Sequence, residues 1–377
     1  MTTQTAPGRV RVALIFGGVS SEHDVSCLTA GGVTRAIDTD RFEVIGIGIT
    51  PSGRWVQVSP DEMAAMQVVE HRLPRLSEER PEAIVLRGAD SGGGRVATLD
   101  GDSLRGVRDF DVAFALLHGP FGEDGTIQGL FEMLGIRYVG SGVAASANSM
   151  DKDVMKRQLR GAGLPVCPWV TIRKADWDAD PHRLLDRCAL DLTFPVFVKP
   201  ARAGSSMGIT RVAEPGGLRA AIEEAQRHDP KVIVEEGFVG VREIELAVLG
   251  RTGAAPRVSL AGEIIVDAPD AFYDYERKYT PDEQVHLKVP ADVSPALLSR
   301  MQRVAARTFA AMDCEGLARV DLFVTADDDV WVNELNTMPG FTYISMYPSL
   351  WAASGVPYPE LIAELIQLAL DRPVGLR

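Results

Sequence analysis

The chain has 377 residues, enough for two or three domains, because single cores stop growing beyond roughly 250 residues. Its composition is that of a globular protein, 46% hydrophobic and 24% charged. The formal net charge of −13 argues against nucleic acid or an anionic membrane as the main partner, since both need basic patches. Small anions are not excluded, because they respond to local charge. Cys27, Cys167, Cys188 and Cys314 are scattered with neither a CxxC pair nor metal-ligand spacing, and read as buried thiols of a cytosolic protein. The polar start MTTQTAPGRV has no signal h-region, and no apolar run approaches the ~20 residues that span a bilayer, so a soluble, cytoplasmic protein is expected.

Residues 10–16 are an apolar run ending in Gly17-Gly18, the pattern of a buried strand entering a tight turn. Ser21 and Asp24 have capping-box spacing, which predicts that a helix starts in SSEHDVSCLTAGGVTRAI. FEVIGIGIT and GRWVQV are the next strands. Residues 59–108, rich in Pro, Gly and charge, read as a loop-rich insertion. DVAFALLHG is a further strand, followed by the glycine loop PFGEDG and the helix TIQGLFEMLG. This alternation implies an open α/β domain with its ligand loops at the carboxyl ends of the strands.

SANSMDKDVMKRQLRGAGL predicts a helix from about Ser149, with Gly163 past its end and Pro165 stopping it. FPVFVKP is a strand, ARAGSSMGITRV a glycine loop and strand, GLRAAIEEAQRH a helix and KVIVEEGF another strand. REIELAVLG and the run to IIVDA suggest antiparallel strands, and DAFYDYERKYTPDEQ is a polar, aromatic loop. SPALLSRMQRVAARTFAAM has helical spacing, ARVDLFVTADDDVWVNELN reads as a hairpin, and YPELIAELIQLAL is a last helix.

Glu334 and Asn336 stand two apart on what reads as a buried strand, and a buried charge needs a cation or a strong donor in front of it. If the hairpin turns through Asp327 and Asp328, residues 326 and 329 pair. Asp321 then falls opposite Glu334 and Arg319 opposite Asn336, all on one face. Two carboxylates and an amide oxygen so placed suit Mg2+, completed by water and phosphate oxygens. An Arg–Asp–Glu salt-bridge lattice on an exposed face accounts for the hairpin alone equally well. No GK dipeptide occurs, which excludes a GxxxxGK[ST] loop, and GGVSSE lacks the spaced third glycine of GxGxxG. Lys199 ends the apolar strand VFVKP, where a lone ammonium needs an anion, and Lys152 starts a helix. The adjoining AGSSMG loop, with the hydroxyls of Ser205 and Ser206, either wraps a phosphate or is a structural turn.

EHDVS, HGPFGEDG, MDK, VKP before GSSMG, FYDYERKY, RVD and NELNTMPG occur in this order. With them the chain resembles, from end to end, the D-alanine–D-alanine ligases of the ATP-grasp superfamily. The resemblance implies an α/β fold, α+β in its ATP-binding part, of three-domain ATP-grasp architecture. An N-terminal open α/β substrate domain would span 1–148, a central ATP-grasp domain 149–238, and a C-terminal ATP-grasp domain 239–377, with ATP gripped between the last two. The implied activity is ATP-dependent ligation of two D-alanines through an acyl phosphate, for peptidoglycan, the cell wall and cell shape. Two rival readings stay in view. A D-alanine–D-lactate ligase is opposed by the intact FYDYERKY, and a non-catalytic nucleotide-binding regulator would be expected to have lost a lysine or a metal ligand.

By the same resemblance, Glu22 holds the ammonium of the first D-alanine and His118 lies near its carboxylate. Lys152, Lys199 and the loop residue Ser206 bind the ATP phosphates, Glu235 and Phe238 line the adenine hinge, and Glu243 takes the ribose. Glu236 stands at a hinge position where some relatives carry lysine. Asp321, Glu334 and Asn336 bind two Mg2+ ions, with Mn2+ as a substitute, and Arg319 and the backbone N–H of Gly340 meet the oxyanion. Ser205, Lys278, Tyr279, Ser345 and Met346 complete the acceptor pocket, with loop 272–282 as a lid. The implied partners are D-alanine, ATP and a second copy of the chain in a homodimer, with no nucleic acid and no membrane.

Overall fold

The structure, a computed structural model, describes residues 8–70, 72–204, 207–266 and 285–374. Ser205, Ser206, Lys278, Tyr279 and the loop 272–282 lie outside the described residues. Two compact units emerge. The first takes the chain up to Val143, Glu315–Leu317 and the chain from Met338 on; the second takes Ala144–Cys314 and Ala318–Thr337.

In the first unit, Val10–Gly17, Phe42–Ile49 and Val112–Ala115 are almost wholly apolar, the composition of strands covered on both faces. Val10–Gly17 lies in the middle, parallel to both neighbours, and Trp55–Val58 adds antiparallel to the outer edge of Phe42–Ile49. Ile15, Ile47, Phe110 and Phe131 form part of its core. The helix after the first strand is His23–Ala36, and no capping box at Ser21 starts it. Glu22 is the N-cap residue and makes no side-chain cap bond, while its N–H donates to Ser20 Oγ at 3.2 Å.

Residues 59–108 are not the loop-rich insertion their composition suggests. Ala83–Arg87, Gly94–Asp100 and Ser103–Phe110 pair as an antiparallel three-stranded sheet, and Ser59 and Glu62 form a reciprocal capping box on the short helix Pro60–Ala64. Ser103–Phe110 leaves most of its length exposed, Leu104 and Val107 included, so its sequence carries no clean strand alternation.

The second unit holds two sheets. Its central sheet is antiparallel throughout, in the order Thr210–Val212, Val196–Pro200, Lys231–Glu236, Trp169–Arg173. Helices Pro181–Asp191 and Leu218–Ala225 cover one face, with Leu184, Cys188, Leu218 and Ile222 against Val170, Ile172, Val198 and Val232. A five-stranded sheet runs Val285–Lys288, Arg257–Val266, Arg242–Gly250, Gly316–Val324, Val330–Asn336. The helix Pro295–Ala311, capped by Ser294, packs Leu297, Met301, Ala305 and Phe309 into its core. The helix expected from Ser149 is two helices, Val143–Met150 and Lys152–Gly161. Asp151 breaks them apart, taking an extended backbone and accepting from the Val154 N–H at 3.2 Å. All four cysteines are buried, and burial pushes the Cys27 and Cys167 thiols up to about 12.

The helices Met346–Ala353 and Tyr358–Leu370 belong to the first unit. Buried Phe341 stacks edge-on to Phe114 at 5.7 Å, and its carbonyl accepts from the Tyr358 hydroxyl at 2.6 Å. Beyond the last helix, Arg372 is buried. It donates to the Gly140 carbonyl (2.8 Å), lies 4.4 Å from the Tyr138 ring centre, and pairs with Glu315 at 2.8 Å. Arg372→Met keeps the length but leaves the Glu315 carboxylate without this partner, and should destabilise the unit by ~3 kcal/mol, read as a lowered urea midpoint. A midpoint equal to wild type would mean that the arginine does not anchor the end of the chain.

Candidate active site

The hairpin opposes Asp321 to Glu334 and Arg319 to Asn336, as the spacing predicts, but by a different route. Nearer the tip the strands run one residue out of that register, Leu322 facing Val332 and Val324 facing Val330. The tip is not the two-residue turn through Asp327 and Asp328 with 326 paired to 329. Thr325 and Asp329 close it, and Asp328 takes a φ of +63°, the left-handed last residue of a three-residue hairpin loop. A bulge at Asn333 takes up the extra residue. Asn333 and Glu334 both stand on the partly exposed face, while Val332 and Leu335 on either side are buried. Without the bulge, Asn333 would face Asp321.

On that face Arg319 grips Asp321 with Nε and Nη2, both at 2.7 Å, and its Nε lies 3.0 Å from Glu245 Oε2. Burial works against the guanidinium's charge, but the Asp321 and Glu245 carboxylates outweigh it and raise its pKa well above the ordinary value. Lys152 Nζ reaches Glu334 at 2.9 Å and donates to the Ala203 carbonyl at 3.0 Å. Its backbone N–H donates to Ala201 at 2.9 Å. One ammonium therefore ties the start of the helix Lys152–Gly161 to the glycine loop and to the hairpin carboxylate.

The donor set suits Mg2+. Asp321, Glu334 and Asn336 present three hard oxygens in one partly exposed row, with Arg319 and Lys152 balancing the acidic charge. Among the described residues no three His, Cys, Asp or Glu side chains converge on a common point. The third donor is then the Asn336 amide, leaving the other positions to water and phosphate oxygens, as Mg2+ commonly does.

Lys199 is not a lone ammonium at a strand end. It donates to Glu235 Oε1 at 2.8 Å, and the other carboxylate oxygen lies 2.6 Å from Lys156 Nζ. The Lys156 and Glu235 side chains are 1% and 2% exposed. Register places Lys199 opposite Ile233, so Lys199 and Glu235 share the sheet face that the apolar core does not use. Burial alone would raise the Glu235 carboxyl, but the two ammoniums outweigh it and hold it at about 2. Lys199 is raised despite its own burial, chiefly by Glu235. The sequence reading missed Lys156. Its signal was the i, i+4 spacing from Lys152 on one helix, which puts both lysines on the same side.

Glu236, Phe238 and Glu243, expected about the nucleotide, follow Glu235 in the chain. Glu236 accepts from the Thr193 N–H at 2.7 Å. The Phe238 ring lies 5.3 Å from Trp331 and 6.2 Å from Phe323, two residues that face each other across the hairpin. Glu243 is exposed on Arg242–Gly250, two residues before the buried Glu245.

In the first unit, His118 follows Val112–Ala115, and its carbonyl accepts from Ser20 Oγ at 2.8 Å. Its Nδ1 lies 3.2 Å from the Met338 carbonyl and its Nε2 3.4 Å from Thr29 Oγ1. Burial lowers the His118 pKa against the opposing pull of the Glu22 carboxylate, which favours the neutral ring. Gly119 has a φ of +73°, a left-handed conformation that favours glycine, and a Cβ there would lie 2.9 Å from Glu22 Oε2, the movable end of that side chain. Gly340 lies two residues past Met338. Ser345 is the N-cap residue of Met346–Ala353, its Oγ accepting from the Thr342 N–H at 3.1 Å, and Met346 is buried.

The triad makes a pH prediction. Glu235 has a depressed pKa in the folded chain, so its contribution to stability is present above about 4.5 and lost as pH falls toward about 2. Lys156→Met should cost ~3–5 kcal/mol at pH 7, where it leaves Glu235 half-compensated. The gap between variant and wild type should then narrow as pH falls below about 4.5, where Glu235 in the unfolded chain is protonated. Urea midpoints measured from pH 3 to 7 test this, and a gap independent of pH would mean that Lys156 acts by packing alone.

Known proteins share both the sequence and this fold. The family model described as D-ala D-ala ligase N-terminus matches residues 11–141, and that described as D-ala D-ala ligase C-terminus matches residues 158–367. The D-alanine–D-alanine ligase of Kineococcus radiotolerans is 50% identical over 383 aligned positions that cover 100% of both chains. Among solved structures, the VanG D-Ala:D-Ser ligase from Enterococcus faecalis superposes with a TM-score of 0.79 at 34% identity, covering 96% of this chain and 100% of that one. The D-alanine–D-alanine ligase from Coxiella burnetii gives 0.79 at 33% identity, over 97% of this chain and 94% of the other. The chain therefore belongs to the D-alanine–D-alanine ligase family and has its ATP-grasp fold.

Proposed function

We infer that the protein is an ATP-dependent ligase that joins two D-alanines into D-alanyl-D-alanine for peptidoglycan synthesis. The observation that carries this reading is the cluster of Lys152, Lys199, Arg319, Asp321 and Glu334 in a chain matched along its whole length by that family. In the same reading the domains are 1–148, 149–238 and 239–377, with residues from 338 on returning to the first compact unit. The working form is a homodimer in the cytoplasm. No helix among the described residues is long and apolar enough to cross a membrane.

A carboxylate is a poor electrophile, so the first D-alanine is converted by ATP into an acyl phosphate. Glu22 takes its ammonium, and His118 lies near its carboxylate. Lys152 and Lys199 neutralise phosphoryl oxygens; the triad of Lys156, Lys199 and Glu235 carries one positive charge in excess, which an ATP phosphate completes. Asp321, Glu334 and Asn336 would hold Mg2+, two ions in this reading and replaceable by Mn2+, which supplies further charge neutralisation at the phosphates. Glu235 and Phe238 line the adenine and Glu243 the ribose, with Ser206 on the phosphates.

The amine of the second D-alanine then attacks the acyl carbon; the C–N bond forms and phosphate leaves. Arg319, aimed by Asp321 and Glu245, meets the developing oxyanion together with the Gly340 N–H, each donor being worth ~3 kcal/mol. Ser205, Lys278, Tyr279, Ser345 and Met346 form the acceptor pocket, and loop 272–282 excludes water that would hydrolyse the acyl phosphate.

Phosphate release assayed with and without D-alanine tests the reading, and D-alanine-independent or absent release would overturn it. Glu334→Gln should lower that release by roughly 100-fold or more at saturating Mg2+, as expected for lost transition-state charge stabilisation. Near-wild-type turnover would leave Glu334 as a lattice residue. Glu22→Gln should weaken the first D-alanine by ~2–5 kcal/mol, as for a desolvated charge pair left half-made. If N-acetyl-D-alanine served as well as D-alanine in the first site, Glu22 would have no ammonium to hold.

A further inference from the structure

The second unit also contains a cavity of about 220 Å3 that none of the ligation residues lines. Its walls are Arg157 and Arg160 of the helix Lys152–Gly161, Trp169, Thr171 and Arg173 of the edge strand Trp169–Arg173, and Arg187 of the helix Pro181–Asp191. Asp176 is the one acid among the lining residues. Val170 and Ile172 face the core, so Trp169, Thr171 and Arg173 take the other face of their strand.

The arginines are held in place from behind. Asp153, buried, accepts from Arg157 Nε (2.9 Å), Trp169 Nε1 (2.9 Å) and Thr171 Oγ1 (2.6 Å). The Arg160 guanidinium lies 4.4 Å from the centre of the Trp169 ring, and Arg187 Nε reaches Asp191 at 3.3 Å. Arg173 has no side-chain hydrogen bond or ion pair among the described residues. Four arginines thus line one concavity of a chain whose formal net charge is −13, Arg157 and Arg187 paired with Asp153 and Asp191 and Arg160 and Arg173 without a carboxylate partner among the described residues. Like charges gathered in a concave wall repel until an anion enters, and the guanidinium fork matches phosphate oxygens in pairs.

We propose that this cavity binds a small phosphorylated anion, at a site separate from the ATP-facing lysines. Trp169 also stands beside those lysines, its ring 5.7 Å from Lys156 Nζ and its backbone paired with Glu235 across the sheet. An anion that draws Arg160 off the ring therefore changes the surroundings of the Lys156–Glu235–Lys199 triad. The site stands on its own geometry and does not require the ligation reading.

Pyrophosphate is the probe, titrated calorimetrically into the full chain at constant ionic strength, with inorganic phosphate as a weaker single-group arm. Saturable binding is expected, weakened about tenfold or more by Arg160→Ala combined with Arg173→Ala. Tryptophan emission should respond to pyrophosphate in wild type and lose that response in Trp169→Phe. If the paired arginine variant does not fold, Arg187→Gln on the exposed helix face should still weaken binding. No saturable binding in wild type, or binding untouched by the arginine variants, overturns the proposal.

Discussion

A single buried carboxylate, Glu235, holds two ammonium groups in the interior of the second unit, and most of the surrounding geometry follows from that arrangement. Each of the three charges would be expensive to bury alone, and none can leave without stranding the others. Glu235 and Lys199 come from adjacent strands and Lys156 from a helix, so the triad fixes how that helix lies on the sheet. Lys152 sits one helical turn before Lys156, and its position over Glu334 is inherited from the same constraint. Beyond Glu334 the row continues through a second acid, Asp321, to Arg319 and Glu245. Each charged group in this row still has an oppositely charged neighbour, Lys152 for Glu334 and Arg319 for Asp321 and Glu245.

The first unit solves a different problem. His118 is buried near a carboxylate, and desolvation, which favours the neutral ring, outweighs the attraction of Glu22. A neutral ring keeps one donor and one acceptor nitrogen, whereas the charged form has two donors only. Gly119 takes a left-handed backbone beside Glu22 that a larger residue would adopt only with strain.

What the sequence made legible was local or depended on parity. Apolar runs marked the parallel strands, helical spacing marked Pro295–Ala311 and Tyr358–Leu370, and two-residue periodicity put Asp321 and Glu334 on one face. Much of the rest was set by distant partners. Ser103–Phe110 is a strand because Gly94–Asp100 pairs with it, although its own residues look like loop. Lys156 reads as one more helical lysine until Glu235 is brought to it. Asp151 separates two helices through its own backbone angles, where the apolar pattern runs on uninterrupted. The return of Phe341 and Arg372 to Phe114 and Tyr138 joins residues more than two hundred positions apart, which no window along the chain can register.

The bulge at Asn333 has a consequence for how this hairpin tolerates change in length. The opposition of Asp321 to Glu334 depends on the sum of two integers, the residues in the tip and the residues extruded as bulges. A shorter tip without a bulge and a longer tip with one deliver the same pair to the same face. The tip is therefore free to gain or lose a residue whenever the strand sheds or takes up another, and this compensation happens between Asp321 and the turn. From Asp321 and Glu334 toward the open end of the hairpin no such slack exists. A single deletion there would turn the Asn336 amide into the core and bring a buried leucine out in its place.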